Sequence, residues 1–475
     1  MENIDIKQLK SEGFHYEYKK AKGGFPKSFW ETYSAFANSD GGYIFLGVEE
    51  VSKRHYQVAN LTKEEINSLK TILFDLVNDK RKVSINLLTD NDVEEIFLDN
   101  SPVLKIRVKR CPVELRPVYI NANVYQGVFR RNNDGDYHCS IEDINEMIRD
   151  SSSQALDLQI MENHDISSLD KESINKYKNI FAAFHPNHPF LKESTERFLE
   201  FIGATRLNQN KEYRLTKAGL LMFGFSYRIV YEFPEFFLDY QEINSKENRW
   251  VDRLESTSGD WSGNLFEYFE KVSYKLSDKV KKPFEINGIY RNDDNNMLKA
   301  IREALCNTLC NADYHLGGGV VIKNYINYIE FNNPGCLMMG IEQMKRGGTS
   351  LPRNKTLLKM FNLINIGERS GSGVPLLFLT SKENYLPHPI IKETFNPTRT
   401  SLTYYLKNVN NADALTKLES DIVQYLNENG PSSAKNISEK LEKNITTVKL
   451  SLYSLMKMSL IFSTGTIKDK KYFTR

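Results

Sequence analysis

No stretch of this chain approaches the ~18–20 consecutive apolar residues of a membrane span, and its opening MENIDIKQLKSEGF sets acids among the apolar positions. Neither membrane insertion nor a secretory signal is expected. Cysteine is scarce. Cys111, Cys139, Cys306, Cys310 and Cys336 form an odd set with no CxxC pair and no histidine at zinc-finger spacing. That excludes a disulfide scaffold and predicts reduced thiols in a cytoplasmic protein. Net charge is nearly absent as well. A formal charge of +2 cannot hold a polyanion through the field of the whole molecule, so a nucleic-acid surface has to come from local segregation of charge. The chain has no internal repeat, no low-complexity tract and no Walker A GxxxxGK[ST]. A P-loop motor is therefore not expected.

What is present is the balance of a folded globular protein, 40% apolar and 26% charged. The 475 residues exceed one ordinary core and point to about three units at roughly 100–200 residues each. Lys105, Arg107, Lys109, Arg110, Arg116, Arg130 and Arg131 crowd one stretch with few acids, and the C-terminal end is again rich in lysine. The first stretch reads equally as the solvated face of ordinary strands or as a basic nucleic-acid surface, with Arg130 and Arg131 as candidate contacts.

The pattern of elements predicts an α+β, multi-domain protein. In residues 1–150 the strand-like FHYEYK precedes the helix-period PKSFWETYSAFAN, then the turn SDGG and the apolar run YIFLGV. Further strands are expected at VLKIRVKR and GVFRRN. SIEDINEMIRD reads as a helix with Ser140 as N-cap and Asp143 in its first turn. Residues 151–205 open on the polar SSSQALDLQIMENHD and continue as a helical connector. Across 206–408, strand-like runs (EFFLDYQEI, GVVIKNYINYIEF, TSLTYYL) alternate with long helices (NLFEYFEKVSYKLSDKV, MLKAIREALCNTLCNADY). That alternation predicts an α/β sandwich. Residues 411–475 read as three short amphipathic helices closed by a two-stranded ribbon, the composition of a winged helix-turn-helix.

The segment PKSFWETYSAFANSDGGYIFLGVEE carries a helix ending in AFAN, then Gly41-Gly42, then a strand ending in GV followed by acids. Gly41 and Gly42 suit a tight helix-to-strand turn whose backbone angles glycine adopts cheaply. In this order of elements the segment resembles the Schlafen AlbA_2 domain. The resemblance implies nucleic-acid binding and, in nuclease-active members, an acidic triad at positions that fall here on Glu12, Glu17 and Glu49, with Glu50 as an alternative third acid. Such a triad can hold Mg²⁺ or Mn²⁺ and generate hydroxide against a phosphodiester. Lys19, on the same strand face as Glu17, can neutralise the phosphate. E-x-K pairs on exposed strands are also common surface salt bridges.

The second constellation is IREALCNTLCNADYHLGGG, then YIEFNNPG, then GERSGSGVPLLF. Its ordered set resembles the divergent GHKL-type ATPase domain labelled RecG C-terminal-like. Glu303 and Asn307, four apart on one helix face, match the E-x-x-x-N pair of that family. The resemblance gives Glu303 the orientation of the attacking water and Asn307 the Mg²⁺ that bridges the phosphates of ATP. It also places Gly371 and Gly373 as a phosphate-cradling loop at a helix N-terminus. Asn333-Pro334-Gly335 stands where the family shows Asp-x-Gly; an Asn carbonyl can accept the adenine amino proton without the charge-assisted strengthening. Asn311 stands where the family has His, with Asp313 and Tyr314 kept. Cys306 and Cys310 read as core packing.

In the C-terminal helices, Thr446 to Lys457 is the recognition-helix candidate, with Thr446, Thr447, Lys449, Ser451 and Lys457 available for groove or phosphate contacts. Lys468, Lys470 and Lys471 on the wing can reach backbone phosphate. Many winged helices dock proteins instead. Together these features predict a nucleotide-responsive, nucleic-acid-binding homo-oligomer, a transcriptional regulator or defence effector. The alternatives are a Schlafen-type endonuclease acting on RNA or DNA, and an assembly protein driven by ATP binding.

Overall fold

The computed structural model describes residues 3–6, 9–52, 55–152, 155–244, 250–277, 286–287, 290–291, 296–367, 371–395, 397–407, 417–457, 461–464 and 470–473. It is a mixed α+β, multi-domain chain. Its contacts group into two units that are not continuous in sequence. The first comprises residues 1–160, 335–356 and 393–399; the second comprises 161–334, 357–392 and 400–475. Among the described residues no helix is long and apolar enough to cross a membrane.

In the first unit a five-stranded sheet runs in the order Asn3–Ile4, Val93–Leu98, Ser101–Val108, Gly42–Leu46, Tyr16–Lys19. Tyr16–Lys19 pairs in parallel with Gly42–Leu46, which pairs antiparallel with Ser101–Val108. The helix Phe29–Asn38 buries Phe29, Trp30, Tyr33 and Phe36 against the same core as Ile44, Leu46, Leu104 and Ile106. Its exit turn is set by glycine. Gly41 has φ +78°, and a Cβ there would stand 2.8 Å from the Val108 carbonyl oxygen. At Gly42 a Cβ would stand 2.7 Å from the Phe36 ring, so both positions of the GG pair exclude a side chain. The helix Ile141–Asp150 begins at the Ser140 N-cap read from the sequence, and the structure completes it as a capping box, the Ser140 side chain accepting from the Asp143 N–H while the Asp143 side chain accepts from the Ser140 N–H.

The second unit holds a six-stranded sheet ordered Asp252–Glu255, Leu238–Ile243, Val320–Tyr325, Tyr328–Pro334, Arg399–Tyr405, Ile390–Thr394. Residues 393–399, at the adjoining ends of the last two strands, count with the first unit. The helices Leu265–Ser277, Asn296–Asn311 and Lys355–Leu363 supply Phe266, Phe269, Ile301, Leu305, Leu309, Leu358 and Phe361 to one apolar core with Leu238, Tyr240 and Ile322 of the sheet. In the same unit the C-terminal helices Lys417–Asn429, Ala434–Lys440 and Ile445–Lys457 enclose a core of Ile422, Leu426, Ile437, Val448, Leu452 and Leu455. They accompany a three-stranded antiparallel sheet ordered Ser432–Ser433, Lys471–Phe473, Phe462–Thr464.

Candidate functional site

The helix Asn296–Asn311 is fixed by Ala300, Ile301, Ala304, Leu305 and Leu309, apolar at helical spacing and buried. Glu303 and Asn307 occupy an adjoining face, Glu303 only 8% exposed. The helix Gly373–Glu383 starts against this pair. A Cβ on Gly373 would lie 2.6 Å from Glu303 Cγ, 2.7 Å from its Oε1 and 2.9 Å from Asn307 Nδ2. Residue 373 is therefore glycine because the carboxylate and the amide occupy the space of a side chain. Gly371, two residues earlier, has φ +68°. The structure thus brings Glu303, Asn307 and Gly373 to one spot, at the N-terminal end of a helix whose first turn presents backbone N–H groups.

Asn333, at the end of Tyr328–Pro334, is buried, and its Nδ2 donates to Pro334 O at 3.0 Å and to Asn311 O at 3.5 Å. With the amide nitrogen held by backbone carbonyls, the side chain offers its Oδ1 as an acceptor. Asn311, which replaces the family's histidine, donates from Nδ2 to Asn307 O at 2.9 Å and so caps its own helix. Gly335, two residues on, groups with the first unit, where its N–H donates to Thr398 O at 3.1 Å. Cys306 and Cys310 are wholly buried, with sulfurs 3.9 Å apart. Their contact and their burial push the Cys306 thiol well above its usual range, so the pair is core packing.

The N-terminal carboxylates are arranged otherwise than expected. Glu12 Oε1 accepts from the Tyr18 N–H at 3.1 Å, and the Glu12 N–H donates to Tyr56 Oη at 2.8 Å. Burial pushes its carboxyl up to about 7, opposed by the Tyr18 N–H and reinforced by Glu17 and by a hydrogen bond with Glu50. The acid beside Glu12 is therefore Glu50. Glu49 extends from the other face of its strand and pairs with Lys20 at 2.8 Å, both side chains well exposed. Glu17 has one oxygen 2.9 Å from Lys19 Nζ and the other 2.7 Å from Arg131. Lys19 also donates to Ser28 Oγ at 3.1 Å. Both oxygens of Glu17 are thus engaged by cations. Among the described residues Glu12, Glu17 and Glu49 do not meet within reach of one ion; the group that does is Glu146, Asp150 and Cys336.

Those three were missed in the sequence. Glu146 and Asp150 stand four apart on Ile141–Asp150, but nothing local marks Cys336, whose N–H donates to Glu146 Oε1 at 2.9 Å. A cation already holds this spot. Arg353 bonds to Asp150 and lies 3.6 Å from Glu146, which makes the cluster a buried ion-pair network.

The basic stretch corrects an expectation. Arg130 and Arg131 do not present a nucleic-acid surface, being 4% and 1% exposed. Arg131 pairs with Glu17 and Asp136, each at 2.7 Å, and donates to Gly13 O at 2.9 Å. Arg130 pairs with Asp143 at 2.8 Å. Lys105 and Lys109 are taken up by Glu94 and Asp92, and Arg110 by Glu393 at 2.8 Å. Arg107 remains exposed. In the C-terminal helix Ile445–Lys457, Thr446, Thr447 and Lys449 are exposed, as are Leu450 and Tyr453 at 67% each. Lys471 is exposed and Lys470 lies over the Tyr472 ring at 5.3 Å. Lys468 and the side chain of Lys457 lie outside the described residues.

With this geometry in place, the comparisons with known proteins identify its parts. Residues 12–140 match the family model described as Schlafen, AlbA_2. Residues 317–402 match that described as "Putative ATP-dependent DNA helicase recG C-terminal", and residues 145–239 match a domain of unknown function, DUF8451. No curated protein matches the chain. Among solved structures, the DIP2311 protein of Corynebacterium diphtheriae is similar at 14% identity and a TM-score of 0.42, over 97% of this chain and 92% of that one. The N-terminal domain of a RecG-related protein from Nitrosomonas europaea is similar at 22% identity and a TM-score of 0.20, over 27% of this chain and 82% of that one. The domain composition of the chain is thus that of a Schlafen AlbA_2 segment followed by a RecG C-terminal-like, ATPase-type segment.

Proposed function

We propose that this is a nucleic-acid-binding protein whose state is set by Mg²⁺–ATP, a regulator or effector and not a motor. One observation carries the reading: Glu303 and Asn307 pack so closely against the glycine that opens the helix Gly373–Glu383 that a Cβ there would collide with both. The donor set fits the nucleotide. Asn307 supplies a neutral oxygen of the kind Mg²⁺ accepts, Glu303 supplies a buried carboxylate that can orient a water, and the N–H groups after Gly371 supply anion donors. Bound Mg²⁺ would neutralise the phosphate charge that these donors face. Asn333, offering Oδ1 with its amide held back, suits an exocyclic amino group and so adenine over guanine. The endonuclease reading has no comparable support, since Glu17 is neutralised by Lys19 and Arg131 and Glu49 faces Lys20. Calorimetric titration of the full chain with Mg²⁺–ATP should show binding, lost by about tenfold or more in Asn307→Ala. Equal affinity in that variant would move the nucleotide elsewhere.

A further inference from the structure

Among the described residues of the first unit five arginine side chains are buried, and four of them have a carboxylate within ion-pair distance: Arg110 with Glu393, Arg130 with Asp143, Arg131 with Glu17 and Asp136, Arg353 with Asp150. Arg116 is the exception. It is 4% exposed, its Nε donates to the Cys111 carbonyl at 2.9 Å, and its Nη2 is buried without a hydrogen-bond partner. Among the described residues no carboxylate pairs with it. Glu393, whose charge reaches it, is spent in a two-pronged bond to Arg110 at 2.8 and 3.2 Å.

Two of its neighbours carry unused donors as well. Arg130 is bound through Nη1 only, to Asp143 Oδ1 and Thr398 Oγ1, while Nε and Nη2 are buried and unpartnered. These two nitrogens form one edge of the guanidinium, the fork that fits two oxygens of a carboxylate or phosphate. Arg110 leaves its Nε unpartnered in the same way. The three lie around the segment that carries Cys336: Arg110 donates to the Leu337 carbonyl, Arg130 donates to the Thr398 hydroxyl, the Thr398 carbonyl accepts from the Gly335 N–H, and Arg116 holds the carbonyl of Cys111, the residue next to Arg110. Four buried N–H-bearing nitrogens without acceptors, one of them on an arginine with no counter-charge, call for an acceptor that brings negative charge. Water would satisfy the hydrogen bonds and leave the charge.

We infer that the niche of Arg110, Arg116 and Arg130 beside Cys336 binds a small free oxoanion of the phosphate or sulfate class. The phosphate of a polymer does not suit it, because the arginines are almost wholly out of solvent and a strand cannot follow its phosphate inward. The anion takes the Arg130 fork with two oxygens and the Arg116 Nη2 with a third. This ties strand Phe129–Asn132 to the loop that follows Cys111.

Equilibrium dialysis of the full chain against labelled inorganic phosphate, with sulfate as competitor and chloride as the balancing salt, tests this. Wild type should retain about one phosphate per chain, displaced by sulfate. Asn307→Ala, aimed at the nucleotide site, should retain it equally, and Arg116→Met should weaken retention by about tenfold or more. Arg130→Lys keeps the charge and removes the fork, so it should also weaken retention if Arg116→Met does not fold. Wild type that retains no phosphate or sulfate, or retention lost in Asn307→Ala and kept in Arg130→Lys, would overturn the inference.

Discussion

At the scale of single residues, two side chains carry measurable consequences. Gly373 has no room for a methyl group, since a Cβ there would come within 2.9 Å of both Glu303 and Asn307. Gly373→Ala should cost about 1–3 kcal/mol of stability by overpacking and reduce Mg²⁺–ATP affinity at least as much as Asn307→Ala. Thermal unfolding and calorimetry would read the two effects separately, and an unimpaired Gly373→Ala would remove the cradle from the mechanism. Glu12 gives a pH signature. Its carboxyl is raised from 4.5 to about 7 in the folded chain, by burial first and then by Glu17 and Glu50. The folded state therefore holds that proton more tightly than the unfolded one. The resulting stabilisation is complete below about pH 4.5 and is lost as pH rises through about 7. With half-exposed screening the loss is on the order of 1–2 kcal/mol. Glu12→Gln should abolish this part of the pH dependence in the metal-free protein. A variant whose stability falls between pH 5 and 8 as steeply as wild type would show that Glu12 is not the group.

These residues also show what a sequence conceals. The pairing of Glu303 with Asn307 was legible because it is local, four residues on one helix; Gly373 was legible only as part of a GSG before an apolar helix, and its packing against that pair was not. The choice between Glu49 and Glu50 was not legible, since which face a strand residue takes depends on the register of its neighbours. Arg131 reads as a surface base in sequence and is instead the buried partner of Glu17, 114 positions away.

At the scale of elements, the legible parts were those with chemical punctuation at their ends. Ser140 and Asp143 cap Ile141–Asp150 as a box, and Gly41-Gly42 turns the chain into the strand Gly42–Leu46. The C-terminal helices were legible from apolar spacing, but their use was not. Thr447 and Lys449 share the exposed face of Ile445–Lys457 with Leu450 and Tyr453. That mixture suits base edges and thymine methyls as well as a protein groove. Salt decides between them. If the face and wing bind duplex DNA, affinity should fall steeply with salt, and Lys470→Ala with Lys471→Ala should flatten the slope by roughly one unit per lost phosphate contact. Anisotropy titrations with the full chain would measure it, and binding indifferent to salt in wild type would make the module a protein-docking one.

At the scale of the molecule, the first unit is not a continuous stretch. Residues 335–356 and 393–399 belong to it, and they carry Cys336, Arg353 and Glu393, the partners of Glu146, Asp150 and Arg110. A fragment ending at residue 160 should therefore leave Arg110, Glu146 and Asp150 buried without counter-charges, a loss of about 3–5 kcal/mol for each broken pair. Circular dichroism melting should find that fragment unfolded or broadly melting while the full chain melts cooperatively. A fragment with a sharp transition would show that the later segments decorate the unit and do not complete it. This interleaving was invisible in the sequence because nothing near Arg110 announces a carboxylate 283 positions later.

That separation has a consequence in time. A nascent chain normally folds its N-terminal domain first, but here Arg110 leaves the ribosome and waits for Glu393, 283 residues behind it. At the usual pace of synthesis the wait is roughly 15–60 s. During it, Arg110, Glu146 and Asp150 exist without the partners that residues 336, 353 and 393 bring them.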